Sequence, residues 1–537
     1  RGNQAIGYIP ARIGEAEEII VGLLPLIENH YGKEDYTYPT LLSTLASIYA
    51  FRGQAERALP LFEESSEILR QLFGERHESY YNALNNQAMI YMRTERFAEA
   101  EALLLRSLQI RRELTGTENP AYVKALNNLA VMYLNMGSYG RAAERFRQVA
   151  ESSERLLGEA SKSRLLALAN LGVCYMRSGQ LAEAVEVADK GEALLARHNL
   201  TGNRDFAEIH ALNLLAAMHG EKRDPDLGSR IAESAAALKA LYGERHTTYQ
   251  NLINGLAGYY LKTGDYDQAL AYASSDAETV AKYRSKTTSV YMKALSNKAA
   301  AYYQLHRWQE AETALAECLD VARRLAAENL AFMSDRERED YWRSVRQPLD
   351  HISGLSQAAF AANYDSPALR GLLYDRSLLT KSLLLNYSAN IREAVFASGD
   401  EELIAVGEQL KKLEGSPKPD AAKVGELEKQ LSLRSAVYRT LRDDFSVTWR
   451  EVQARLAGDE AAVEITTIAG DGAQPQYAGL VLRAGDEAPQ CVRLCGEEAI
   501  ATGLQTSADL TAVLFTPLEK HLRGVGRIYL SVSGLAG

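Results

Sequence analysis

A period of 42 residues governs the N-terminal part of the chain and, more than any other feature, limits what it can fold into. Tyrosine returns at Tyr49, Tyr91, Tyr133 and Tyr175, gives way to His219 after a two-residue insertion, and resumes at Tyr260 and Tyr302. Glycine keeps the same beat at Gly32, Gly74, Gly116, Gly158, Gly202 and Gly243. It often opens a turn, as in Gly74-Glu75-Arg76-His77 or Gly116-Thr117-Glu118-Asn119-Pro120, where a helix must end. Alanine supplies a third register at Ala16, Ala58, Ala100, Ala142, Ala184, Ala269 and Ala311, in the turn opening the second helix of each pair. A small residue there lets two helices approach closely. Self-similarity at such a period specifies an array of stacked units rather than one closed core.

Within one unit, Leu126, Leu129, Ala130 and Tyr133 fall at i, i+3, i+4 and i+7, the apolar stripe of an amphipathic helix. The second helix starts near Tyr139 and carries Ala142, Ala143, Phe146 and Val149 on one face. Neither helix buries its stripe alone, so stacked neighbours must supply the core. The run Leu171-Gly172-Val173-Cys174-Tyr175, and Ala142 with Phe146, resemble the tetratricopeptide repeat, in the 42-residue variety of kinesin light chains and many bacterial regulators. The expected fold is mainly α: a tetratricopeptide-type α-solenoid superhelix over residues 1–327, half a repeat followed by seven full ones.

That resemblance implies an inner groove, lined by the first helices, that receives a protein or peptide. The family's groove-facing positions select Asn85, Arg93, Asn127, Asn135, Arg177, Asn254 and Lys262, whose amide and cationic groups can clamp a backbone or a carboxylate. The same side chains also suit an ordinary solvated helix face. The repeat tyrosines and Trp308 fall on the buried stripe and read as packing residues. The fifth unit departs from the pattern at Met218–Asp226, a polar insertion containing Pro225; it reads as a bend, a contact loop or a drifted repeat.

A net charge of −10 argues against direct binding of nucleic acid, which needs clustered Lys and Arg to displace counterions. Four cysteines in so long a chain suit a reducing compartment, and a cytoplasmic location is expected. Cys491 and Cys495 form a CxxxC without a second pair or a histidine cluster, so neither a metal nor a cofactor is expected. No apolar run approaches the roughly 18 residues that span a bilayer, and no signal peptide is visible, so no membrane partner is expected either.

After residue 327 the beat stops. Residues 328–457 read as a helical connector, with a helix start at Ser334–Glu339, a long helix over Leu373–Asn386 and a mobile loop at Gly415–Asp420. From 458 to 537 the texture changes to strands at Ala462–Thr466, Tyr477–Leu482, Pro489–Leu494 and Arg527–Val532, with a helix ending near Leu522: the start of an α/β domain.

Five motifs follow one another here: Asp375-Arg376-Ser377-Leu378-Leu379-Thr380-Lys381; Ser398-Gly399-Asp400-Glu401-Glu402-Leu403; Trp449–Leu456 with Glu460–Glu464; Pro517-Leu518; and Ile528–Gly534. In order and type they resemble the CHAT family, caspase-like cysteine peptidases found C-terminal to tetratricopeptide arrays. The resemblance implies a Cys nucleophile and a His base acting on a protein substrate, because a thiol attacks as its thiolate. It also implies that this pair lies beyond Gly537, and that the repeats act as sensor and the helical region 335–456 as relay. Relatives of this architecture act in antiviral defence, some with CRISPR effectors and some beside gasdermin-like pore formers. His521, Cys491 and Cys495 lie outside the family's catalytic context and read as packing residues. The alternative expectation is a non-catalytic adaptor whose repeats bind a protein partner.

Overall fold

The computed structural model describes residues 10–52, 54–217, 226–329, 335–384, 399–414, 421–434, 447–468, 476–496 and 511–532. Met218–Pro225 of the expected insertion and the expected loop 415–420 lie outside the described residues. The chain forms two compact units, residues 1–259 with 275–288, and residues 260–274 with 289–537.

The first unit is a run of helices whose first eleven pack each on the next. They are α1 (Pro10–Tyr31), α2 (Thr37–Phe51), α3 (Ala55–Phe73), α4 (Glu78–Arg93), α5 (Phe97–Thr115), α6 (Pro120–Met136) and α7 (Tyr139–Leu157). There follow α8 (Lys162–Arg177), α9 (Leu181–Arg197), α10 (Ala207–Ala217) and α11 (Leu227–Tyr242), then α12 (Thr247–Thr263) and α13 (Tyr266–Tyr283), which contribute to both units.

Local sequence sets the helix ends. The side chain of Asn119 accepts from the Ala121 amide at 2.8 Å, and Pro120 occupies the first turn of α6, where a missing N–H costs nothing. Helices α3, α5, α7 and α11 stop at the beat glycines Gly74, Gly116, Gly158 and Gly243, all with φ between 73° and 91°, a region closed to most side chains. The alanine register is fully buried from Ala58 to Ala311, at 0% exposure wherever it recurs. Any larger side chain there would push the paired helices apart.

The tyrosine register does more than fill space. Guanidinium groups lie over the rings, Arg57 on Tyr49 at 3.9 Å, Arg96 on Tyr91 at 4.5 Å and Arg141 on Tyr133 at 3.9 Å. The Tyr91 hydroxyl donates to Glu63 and that of Tyr133 to Glu101, both at 2.8 Å, tying each hairpin to the one before. A polar ladder ties the two helices of a hairpin: Ser43 meets Ser65 at 2.7 Å, Asn85 donates to Ser107 at 2.6 Å and Asn254 to Asp276 at 2.9 Å, always 22 residues apart.

The second unit opens with a further hairpin of the same type, α14 (Ser289–Gln304) and α15 (Trp308–Asn329), then α16 (Asp335–Ala361) and α17 (Pro367–Leu384). Ser296 of α14 meets His351 Nδ1 of α16 at 2.7 Å inside the core. Shorter helices over Glu401–Glu414, Ala421–Arg434 and Trp449–Ala454 precede a four-stranded sheet of order β3-β2-β1-β4. Strand β1 (Glu460–Ile468) pairs antiparallel with β2 (Gln476–Arg483) and parallel with β4 (Arg527–Val532), and β2 pairs antiparallel with β3 (Gln490–Gly496). Leu514 and Leu518, on the approach to β4, pack on Val463, Ile465, Tyr477 and Val481. Gly479 makes room for Leu518: a Cβ there would stand 2.6 Å from its Cδ2.

Candidate functional site

The expected groove residues separate into two kinds according to where the repeat turns them. At the first-helix position that begins the polar ladder, Asn85 is buried, donates to the Tyr81 carbonyl and Ser107, and accepts from Asn128. Asn254 likewise donates to Asp276, and Asn127 is half-buried. Asn85 and Asn254 are therefore hydrogen-bonded across their own hairpins. At the position following the tyrosine, Asn135, Arg177 and Lys262 are exposed. Arg93 differs from these three.

Arg93 ends α4 and donates through Nη2 to the Tyr283 carbonyl, at the end of α13, at 3.2 Å. Arg245, in the turn before α12, donates to the Phe51 carbonyl at the end of α2 and lies over the rings of Phe51 at 3.9 Å and Tyr283 at 4.7 Å. Arg284 follows Tyr283 and donates to Thr247 at 3.2 Å. Contacts spanning 190 and 194 residues mean that the array coils far enough to bring its first two hairpins against its sixth. Burial, with Arg284 and Arg245 pressing on the same charge, pushes Arg93 down to about 10.

Two acids act on Arg284. Glu95, in the left-handed region at φ 58°, is buried, and so is Asp276 at 1% exposure. Burial pushes the Asp276 carboxyl up to about 7, against the opposing pull of the Asn254 hydrogen bond and the Arg284 charge. Near neutral pH the cluster thus holds more positive than negative charge. Arg245, Arg284 and Asp276 were not among the expected groove residues. Repeat register carries no sign that they meet Arg93; only the pitch of the coil brings them together.

In the second unit the polar residues of α17 join three of the quoted motifs. Asp375 accepts from the Trp449 amide at 2.6 Å and pairs with Arg323 at 3.1 Å. Arg376 pairs with Asp350 at 3.0 Å and donates to the Thr467 carbonyl of β1. Lys381 contacts Glu464 of β1 directly and donates to Ser531 of β4 at 2.6 Å. Burial presses Lys381 down and Glu464 up, each toward its neutral form.

The thiols are set for packing. Burial pushes Cys318 and Cys491 up to about 12 and raises Cys174 and Cys495 as well, so none is a thiolate near neutral pH. Burial, with Lys520 nearby, lowers His521. Among the described residues no group of three or more His, Cys, Asp or Glu could hold a metal ion, and no helix is long and apolar enough to cross a membrane.

Models of the tetratricopeptide repeat match residues 79–155 and 124–197, and a second model of that repeat matches residues 40–79 and 292–329. The hairpins within residues 40–197 and 292–329 are tetratricopeptide repeats. No curated protein matches the chain by sequence. Among solved structures it is similar to a putative kinesin light chain with nearly identical TPR-like repeats from Podosopora anserina, at 24% identity and a TM-score of 0.33, over 35% of this chain and 89% of that one. It is similar to BtubC from P. vanneervenii at 19% identity and a TM-score of 0.31, over 50% and 90% of the two chains. A signal transduction ATPase with a tetratricopeptide repeat sensor from Pyrococcus horikoshii aligns at 10% identity and a TM-score of 0.40, over 78% of this chain and 56% of that one.

Proposed function

We propose that the chain senses a protein or peptide partner through its repeats and belongs to a CHAT-type, caspase-like peptidase whose C-terminal region is the effector. The first half of this reading is supported by the contacts of Arg93 and Arg245. A partner whose acidic stretch entered the coil would compete for their guanidinium groups and loosen the hold of the first hairpins on the sixth, so that bound and free protein differ in pitch. Such a difference is what a sensor needs, because a ligand shifts an equilibrium only by preferring one of its states.

The second half is carried by one observation: Asp375, Arg376 and Lys381, from the first of the five motifs, contact Trp449, Thr467 and Glu464 in and beside the third. Three of the five quoted segments thus meet where α17 packs on the sheet. Exposed Ile528, Tyr529, Leu530 and Val532 on β4, each 42–49% exposed, suit a strand that continues a larger sheet. An effector of this kind fits a role in bacterial antiviral defence, in the cytoplasm.

The test is cleavage. Full reading-frame protein is mixed with the partner it captures, and each Cys is replaced by Ala in turn. Partner-dependent proteolysis abolished by one Cys→Ala change supports the peptidase. Stable capture without any cleavage overturns it and leaves the adaptor reading.

A further inference from the structure

Helix α1 enters the array as the second helix of a hairpin whose first helix is not among the described residues. In the next three hairpins the positions equivalent to Leu23 are Ser65, Ser107 and Val149, all fully buried. Ser65 and Ser107 are closed over by the first helix of their own hairpin, through Ser43 of α2 and Asn85 of α4. Leu23 is instead 39% exposed, with Ile19 at 60% and Leu26 at 54% beside it. Ile19, Gly22, Leu23, Leu26 and His30 fall at i, i+3, i+4, i+7 and i+11. They form a second seam on α1, next to the one, Ala16, Ile20 and Leu24, that packs into the core.

The end of a repeat array ordinarily presents a polar outer face, because no neighbour follows to cover an apolar one. Helix α1 presents an apolar one. Gly22 adds a second observation. A glycine inside a helix weakens it, and nothing among the described residues stands within 4 Å of where its Cβ would be, so packing within the array does not call for it. A second helix crossing closely at Gly22 does.

The seam is complementary to itself when two copies run antiparallel about Gly22 and Leu23. Ile19 then stands opposite Leu26 on both sides of the axis, and exposed Glu15 stands opposite exposed His30, whose ring N–H can donate to the carboxylate. Glu17 is turned to Arg52 of α2, and Glu18 and Glu28 fall outside the seam, so no two acids meet across it. A parallel pair would set Glu15 against Glu15. We infer that α1 is the contact through which two copies of this chain pair, antiparallel and about a two-fold axis at Gly22 and Leu23. One helix from each copy supplies fewer than the roughly 20–30 residues a side of a standard interface, so the dimer is weak and concentration-dependent. The pairing does not depend on the reading of the Arg93 cluster or of the C-terminal unit.

Sedimentation velocity of the whole chain from about 1 to about 200 μM tests the inference. The mass should rise from one chain toward two, with half-association at about 10–100 μM. Leu26→Glu, at an exposed position, should weaken association at least about tenfold at unchanged helical circular dichroism. Glu15→Arg should also weaken it, and adding His30→Glu should restore it, which a merely adhesive apolar patch would not do. A chain that stays single throughout, whether or not it takes up a peptide of residues 78–93 as a substitute first helix, overturns the second copy as occupant. Association that survives Leu26→Glu overturns the seam, and failure of His30→Glu to restore the Glu15→Arg variant overturns the antiparallel pairing.

Discussion

Arg76 and Arg245 occupy the same tetrapeptide, Gly-Glu-Arg-His, and show how far local sequence reaches. The two turns are built alike: His77 stacks on Phe73 at 4.5 Å, and His246 on Tyr242 at 4.7 Å. Yet Arg76 is 70% exposed and reaches Glu113 at 3.4 Å, whereas Arg245 is half-buried over Phe51 and Tyr283. Arg245→Ala should lower unfolding stability by about 1–2 kcal/mol, since it removes a charge-assisted bond and two cation–π contacts, and Arg76→Ala by less than about 0.5 kcal/mol. Urea denaturation compares them; equal losses would mean that the long-range contacts contribute nothing. Asp276 supplies a pH signature. Its folded pKa, near 7, lies above its unfolded value, so the folded state holds a proton that the unfolded chain has released. Its contribution is therefore fully present at acid pH and is lost as pH rises from about 4 to about 7. Asp276→Asn should flatten that fall in a pH series of denaturation midpoints. A slope identical to wild type would refute the assignment.

At the scale of elements, the alanine register and the α17–β1 junction set the packing. Ala142 has no exposed surface, and Ala142→Leu should cost about 1–3 kcal/mol by forcing α7 away from its partners. At the junction, Lys381→Met alone leaves Glu464 buried without its cation and should cost about 3–5 kcal/mol. The double change Lys381→Met with Glu464→Leu should recover most of that loss, because the charge left stranded is removed as well. If the double variant is as unstable as the sum of the two single ones, the pair is uncoupled and the junction is held by apolar packing. This element was legible in sequence only in part. The strand-like texture of Ala462–Thr466 and Tyr477–Leu482 matches β1 and β2, because β-branched and apolar runs report burial on both faces. That Glu464, in the middle of such a run, sits against Lys381 is a long-range fact 83 residues apart that no local pattern encodes.

For the first unit taken whole, the contacts of Arg93 and Arg245 limit how far the coil can open. Replacing both by Ala should increase its radius of gyration in small-angle scattering while the helical circular dichroism stays constant, since each hairpin keeps its own core. No change in radius would mean that pitch is set by hairpin stacking alone. The asparagines show what the register leaves open at two of the seven expected groove residues. The pattern fixes a first-helix position but not its depth, and at Asn85 and Asn254 the second helix of the same hairpin supplies a hydrogen-bonding partner before any ligand can.

Sequence by itself determined the repeat, its hairpins and their ends, because alanine size, glycine backbone freedom and the 3.6-residue stripe act within a few residues of themselves. Tertiary structure alone decided which arginines meet and which asparagines are buried. Those outcomes depend on small rotations between neighbouring hairpins, summed over six of them, and such a sum is not written at any single position.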